Sequence, residues 1–94
     1  MNSKLSMTNF SERPLLVVIE PMAEDYILTP DESLVFIAQE ADEEFYFSVV
    51  VRGDTEVLVY IEGKCAGVVA YNREGNVVEY GYNRHLNPDY PKVP

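Results

Sequence analysis

The amino-acid sequence predicts a single all-β domain, built as an antiparallel sandwich or a small partly open barrel of about seven strands. Residues 45–62 alternate apolar and polar side chains on both sides of a glycine turn, which is the period of a β-hairpin. Shorter strand-like segments flank this hairpin and are bounded by glycine or proline. With 94 residues, of which 47% are hydrophobic, the chain has enough apolar surface for one core.

The composition divides the chain into three parts. Residues 1–13 are polar and lack periodicity, so we expect a flexible N-terminal arm. Residues 14–83 form the predicted β domain, and residues 84–94 form a proline-rich C-terminal tail. The first strands of the domain are predicted at residues 15–20, 26–29 and 33–39.

The turn of the central hairpin is predicted to have an odd length. A two-residue turn would place the carboxylate of Glu56 among core residues, whereas a three-residue turn at 53–55 places it opposite Arg52. Because a slip of one residue moves every side chain to the other face, the three-residue turn is favoured. The predicted core face consists of Phe47, Val49, Val51, Val57, Val59 and Ile61.

Two further turns extend the hairpin into a predicted C-terminal four-strand meander over residues 45–82. A two-residue turn at 63–64 would pair Ile61 with Ala66, and a three-residue turn at 73–75 would pair Ala70 with Val78. In this register small residues lie opposite large ones, as close packing requires.

The outer face of the predicted meander is too apolar for a sheet surface in contact with water. The candidate interaction face consists of Tyr46, Val50, Leu58, Tyr60, Val69 and Tyr71. We expect either that the first three predicted strands fold over this face, or that another molecule covers it, most simply in a homodimer.

The net charge of −9 is concentrated in the first half of the chain. Residues 14–51 contain nine acidic residues and no lysine or arginine, which disfavours nucleic acid and anionic membranes as partners. This charge either keeps the surface solvated or faces a basic protein partner. The candidate acidic patch consists of Glu24, Asp25, Asp42, Glu43 and Glu44.

The sequence offers no convincing catalytic, cofactor-binding or metal-binding residues, so we expect none of these sites. Cys65 and His85 are the single cysteine and the single histidine, and their positions in a hairpin end and in the tail do not indicate a nucleophile and its base. The adjacent carboxylates lack the alternating spacing of a calcium loop. Because the chain has one cysteine and no signal-peptide pattern, we expect a cytoplasmic protein.

The chain carries the motif E-P-x-x-E-x-Y-x-L-x-P-x-E at residues 20–32, followed by an apolar strand. Over residues 17–84 it resembles a group of small bacterial proteins without an assigned activity, which implies a bacterial single-domain β protein. The segment Y-x-L-x-P-x-E-S-L-x-F at residues 26–36 is also similar to cupredoxin sandwiches. Blue copper requires two histidines and a cysteine, so this second resemblance implies the sandwich shape without the metal.

Three classes of function remain open from the sequence. The first is a non-enzymatic binding or accessory module, for example one that shields a basic protein partner. The second is a structural subunit of a phage or bacterial assembly, in which the apolar face makes contacts between subunits. The third is a small enzyme of unknown reaction, which the scarcity of catalytic residues disfavours.

Overall fold

The computed structural model describes residues 3–88, which form two four-stranded sheets packed as a β-sandwich. The strands are β1 (Ser3–Thr8), β2 (Leu15–Glu20), β3 (Glu24–Leu28), β4 (Ser33–Gln39), β5 (Tyr46–Arg52), β6 (Glu56–Glu62), β7 (Gly67–Tyr71) and β8 (Val77–Val78). A short 3₁₀ turn, Arg84–Leu86, follows the last strand. One sheet has the order β1-β4-β7-β8 and the other the order β3-β2-β6-β5, so the predicted all-β sandwich is confirmed.

The core lies between the two sheets and follows the two-residue period of the strands. In β4 the buried residues Leu34, Phe36 and Ala38 alternate with half-buried ones. In the facing sheet Val17 pairs with Val57, and both point inward. Each fully buried side chain of this size contributes roughly 1.5–3 kcal/mol to the free energy of folding.

The predicted register of the β5–β6 hairpin is confirmed. Val51 lies opposite Val57, Val49 lies opposite Val59, and Arg52 lies opposite Glu56 across the three-residue turn. The predicted core face is wrong in part. Strand β5 is an edge strand, and the opposite sheet does not cover the half of β5 that lies next to the β5–β6 turn. Val49 and Val51 point inward with their buried partners and are nevertheless exposed to solvent.

The predicted four-strand meander is wrong beyond this hairpin. After β6 the chain crosses to the other sheet, where β7 pairs antiparallel with β4. The second neighbour of β6 is β2, which pairs with it in parallel, so the sandwich is not entirely antiparallel. The third predicted turn is confirmed, since Ala70 pairs with Val78. In the predicted meander, β7 would pair with the side of β6 that faces away from β5. Strand β2 occupies that side, and the sequence of the 63–64 turn gives no indication of it.

The expectation of a flexible N-terminal arm is wrong for Ser3–Thr8, which forms β1 and pairs with β4. Its apolar residues Leu5 and Met7 pack against the core, while the alternate residues are polar and exposed. Asn9 directly follows this strand. It is buried, and its Nδ2 donates to the carbonyl oxygens of Arg13 (2.7 Å) and Leu28 (2.9 Å). Residues 1–2 of the predicted arm lie outside the described residues.

The segment after β8 runs along the free edge of β3. The amide of Gly81 donates to the carbonyl oxygen of Asp25 at 2.6 Å, and the amide of Ile27 donates to that of Tyr82 at 2.9 Å. Residues 84–88 of the predicted tail are therefore packed beside the sheet, and residues 89–94 lie outside the described residues.

Candidate interaction surfaces

Three connections between strands meet at one end of the sandwich. In one sheet the pairs Ile19–Glu24 and Tyr46–Glu62 place the β2–β3 and β6–β7 connections at this end. In the other sheet Gln39 pairs with Gly67, which brings the β4–β5 connection to the same place. We call this the acidic end, because its connections and the strand residues that flank them carry Glu20, Glu24, Glu40, Asp42, Glu43, Glu44 and Glu62. Lys64 is the cation in these connections.

The β4–β5 connection is built so that its acids point outward. Ala41 and Phe45 are buried in a small apolar cluster, and the three acids between them are exposed. The ring of Phe45 packs edge-on against Phe47 with 5.1 Å between the ring centroids. The two buried residues therefore fix both ends of the segment, and the side chains of Asp42, Glu43 and Glu44 are exposed to solvent.

Backbone contacts join this connection to the next one. The amide of Asp42 donates to the carbonyl oxygen of Lys64 at 3.1 Å, and the amide of Ala66 donates to that of Gln39 at 2.7 Å. Gly63 has a φ of +105°, and a Cβ at this position would lie 3.2 Å from the Cα of Phe45. A side chain there would be strained in φ and crowded against the acidic connection, so glycine is required for the close approach.

The structure brings four of the five residues of the predicted acidic patch to this end, and the fifth, Asp25, is paired with Arg84. Asp25 accepts two hydrogen bonds from the guanidinium of Arg84, at 2.9 and 2.5 Å. These hydrogen bonds lower the pKa of the Asp25 carboxyl from its ordinary value, against an opposing effect of burial. Asp25 is therefore neutralised within the chain, and Glu20, Glu40 and Glu62 take part instead. The sequence signal for Glu40 was its place in the same acidic run as Asp42, whereas Glu20 and Glu62 can be assigned to this end only once the pairing of the strands is known.

The predicted interaction face is divided between the two sheets. Tyr46, Val50, Leu58 and Tyr60 lie on the outer face of the sheet that contains β5 and β6. Val69 and Tyr71 lie on the outer face of the other sheet, because β7 pairs with β4. The six residues do not form one surface, and the wrong meander is the reason.

The expected cover of the outer face by the first three predicted strands is also wrong. Two of those strands, β2 and β3, extend the same sheet sideways, and β4 belongs to the opposite sheet. Leu58 is buried and Tyr60 half-buried on this face, whereas Tyr46 and Val50 are exposed near the β5 edge. Residues 86–88 line a cleft of about 340 Å³ with Leu16, Ile27 and the β5–β6 turn, so the C-terminal segment borders the opposite end of this face.

The outer face of the second sheet is apolar as well, which the sequence did not predict. Val35 pairs with Tyr71, Ile37 pairs with Val69, and Val77 lies beside Tyr71. Val77 is exposed and the other four are half-buried. Both outer faces of the sandwich therefore present apolar side chains to water.

Cys65 and His85 occupy different parts of the fold. Cys65 lies in the β6–β7 connection at the acidic end, and His85 lies in the 3₁₀ turn beside β3. Within residues 3–88, no cluster of three or more histidine, cysteine, aspartate or glutamate side chains is arranged to hold a metal ion.

Two tyrosines have raised pKa values for structural reasons. Burial, together with the nearby acids Glu24, Asp25 and Glu79, raises the pKa of Tyr26 to about 12. The hydroxyl of Tyr82 donates to the carboxylate of Glu32, and this hydrogen bond raises the pKa of Tyr82. Glu32 also accepts a hydrogen bond from the amide of Thr29 at 2.9 Å, so the group closes the turn before β4.

Comparisons of the chain with protein-family models, with curated proteins and with solved structures find no match. Across the described part of the chain, none of the helical structure has the length and apolar character needed to cross a membrane.

Proposed function

We propose that this chain is a non-enzymatic binding module for a protein partner with a basic surface, and that the acidic end is its contact site. The observation that carries the proposal is that three connections, from both sheets, converge at one end. Their acids include Asp42, Glu43 and Glu44, and the cation in these connections is Lys64. We place this module in the cytoplasm, because a chain with a single cysteine has no intramolecular disulfide, which fits a reducing compartment.

The geometry of the acidic end suits recognition by charge. Carboxylates gathered on one side of a small domain produce a potential that attracts a cationic surface and accelerates the encounter. The buried anchors Ala41 and Phe45 hold the β4–β5 connection in place, so fewer conformations are lost on binding. Nucleic acids and anionic lipid surfaces are repelled by the same charges, which leaves a basic protein as the matching partner.

A defined cationic probe tests the proposal. The variant Asp42→Asn/Glu43→Gln/Glu44→Gln removes three exposed charges from the acidic end, and Glu12→Gln/Asp54→Asn/Glu74→Gln removes three exposed charges elsewhere. Binding of an oligolysine peptide of about ten residues is measured by calorimetry at low and at physiological salt. Because an exposed ion pair contributes about 0.2–1 kcal/mol, the first variant is expected to bind roughly 3- to 100-fold more weakly than the wild type.

The second variant has the same net charge as the first and is expected to retain most of the affinity. Equal losses in the two variants would mean that the peptide responds to net charge alone and would contradict a site at the acidic end. Affinity that does not fall with added salt would also contradict it, because exposed charge pairs are screened.

A second candidate function is a structural subunit of a phage or bacterial assembly. It is favoured by the apolar outer faces of both sheets, since a subunit in a lattice buries more than one face. Light scattering at high protein concentration tests this candidate. Association beyond a dimer supports it, and a protein that remains monomeric contradicts it.

A further inference from the structure

Strand β5 has an edge that no other described strand covers. It pairs on one side with β6, and within residues 3–88 its other side makes no strand pairing. Its sequence, YFSVVVR, contains no proline or glycine and no charge before its last residue. An edge of this length and composition is a template for pairing with another strand.

The other three edges of the sandwich differ from β5. The edge of β3 is occupied by backbone hydrogen bonds with Gly81 and Tyr82. Strand β8 has two residues, which is too short to template a sheet. Strand β1 places polar side chains, including Lys4, at alternate positions, and an edge lysine is one of the devices that discourage pairing.

The apolar side chains of β5 are exposed on both of its faces. Val49 and Val51 point toward the core side, with exposed fractions of 48% and 69%, and Val50 points outward with 44%. Val59 and Val57, directly across from Val49 and Val51, are buried. The sheet is therefore well packed at β6, whereas the side chains of β5 lack the cover that a further strand beside them would give.

We propose that β5 pairs antiparallel with β5 of a second copy of this chain, centred on Val49, so that the two sheets join into one of eight strands. A centre at Val49 aligns all seven residues of the strand and places each Val49 opposite the other. Phe47 then lies opposite Val51 of the second copy on the core side. The same β5–β5 contact would therefore pair the free backbone groups of the edge and cover the side chains of Val49 and Val51.

The charges favour the antiparallel direction over the parallel one. In this arrangement Arg52 lies opposite Tyr46 of the second copy and within two residues of its Glu44, which aligns with Asp54, so one arginine offsets two acids there. Arg52 has room for this contact, because its ion pair with Glu56 is long, at 3.5 Å, and its side chain is largely exposed. A parallel arrangement would instead bring the two acidic ends side by side, with like charges in contact.

The inference goes beyond the binding function proposed above and does not depend on it. Edge pairing would leave Glu20, Glu24 and Glu62 outside the contact, and the two acidic ends would point in opposite directions. An interface that consists mainly of one strand is small, so the dimer is expected to depend on protein concentration.

Sedimentation equilibrium of the full chain tests the proposal with two charge variants. Val49→Lys places like charges directly opposite each other in the dimer, and Val77→Lys makes the same change at an exposed position of the other sheet. The wild type and Val77→Lys are expected to dimerise with similar constants, and Val49→Lys at least about tenfold more weakly. Circular dichroism establishes that each variant is folded. A wild type that is monomeric up to about 1 mM would overturn the proposal.

Disulfide trapping tests the register independently of the charge variants. In a Cys65→Ser background, Val49→Cys places two thiols directly across the two-fold axis, whereas Val50→Cys places its thiols about two residues apart along the strands. With oxidised glutathione as the oxidant, Val49→Cys is expected to form the cross-linked dimer much faster. Equal rates for the two variants would overturn the proposed pairing.

Discussion

Arg84 and Asp25 join the C-terminal segment to the edge of β3 through a two-point contact. The Nε of Arg84 lies 2.9 Å from Oδ2 of Asp25, and its Nη2 lies 2.5 Å from Oδ1. The guanidinium also lies against Gly81, where a Cβ would approach its Cζ to 3.2 Å. This contact fixes the segment that covers the β3 edge, and it removes Asp25 from the acidic surface.

Replacing Arg84 with glutamine is expected to lower the free energy of unfolding by about 1–2 kcal/mol, because a partly buried carboxylate loses its charged donor. Chemical denaturation measures this loss. Arg84→Lys retains the charge without the two-point geometry, so it is expected to recover only part of the stability. A free energy of unfolding for the glutamine variant within about 0.5 kcal/mol of the wild type would show that the Arg84–Asp25 contact does not stabilise the fold.

The same contact predicts a dependence of stability on acid pH. The lowered pKa of Asp25 means that its contribution is present above the ordinary value of 3.8 and is lost as pH falls through the lowered value in the folded state. As the pH falls below about 4, the stability of the wild type should therefore fall more steeply than that of Asp25→Asn. Denaturation at several pH values compares the two slopes, and equal slopes would show that the Asp25 pKa is not lowered.

The burial of Tyr26 predicts a late phenol titration at alkaline pH. Its pKa is raised to about 12, so the stability that it contributes is complete below its ordinary value of 10 and is lost as pH rises through about 12. Ultraviolet absorbance follows the ionisation of the seven tyrosines. Tyr26→Phe should remove a late component of this titration. Loss of an early component in Tyr26→Phe would be inconsistent with its buried position.

Asn9 is expected to be one of the most sensitive polar positions in the protein. Its side chain donates to two carbonyl oxygens, and its Oδ1 accepts hydrogen bonds from the amide (3.0 Å) and hydroxyl (2.7 Å) of Ser11. Asn9→Ala leaves these groups without their partner and should lower the free energy of unfolding by about 2–3 kcal/mol. Asn76→Ala, at an exposed turn, is the matched control and should change stability by less than about 0.5 kcal/mol. Similar effects at both positions would argue against a structural role for Asn9.

The parts of the fold that sequence reasoning predicted were those with a local signal. The register of β5 and β6 was predictable because one wrong residue in the turn would have placed Glu56 in the core. The pairing of Ala70 with Val78 was also predictable, because only a short loop with a glycine turn at 73–75 separates the two strands. The parallel pairing of β2 with β6 has no comparable signal, because the two strands are far apart in sequence.

The candidate site was predictable only in part, and the same cause applies. Asp42, Glu43 and Glu44 stand out as a run between the apolar residues Ala41 and Phe45, so their exposure follows from the sequence. Glu40 precedes them in the same connection, whereas Glu20 and Glu62 join them through the topology, which the predicted meander did not contain. The pairing of Asp25 with Arg84, far away in sequence, could not be foreseen.

Nuclear magnetic resonance of the labelled chain, titrated with the oligolysine peptide, tests the acidic end as the binding site most directly. Amide shifts are expected to concentrate at residues 20–24, 40–45 and 62–66, which comprise the three connections of that end and the strand residues that flank them. The acids at the opposite end, in residues 29–32 and 72–76, serve as the internal comparison. Shifts concentrated at those residues, or spread evenly over the exposed acids of both ends, would contradict binding at the acidic end.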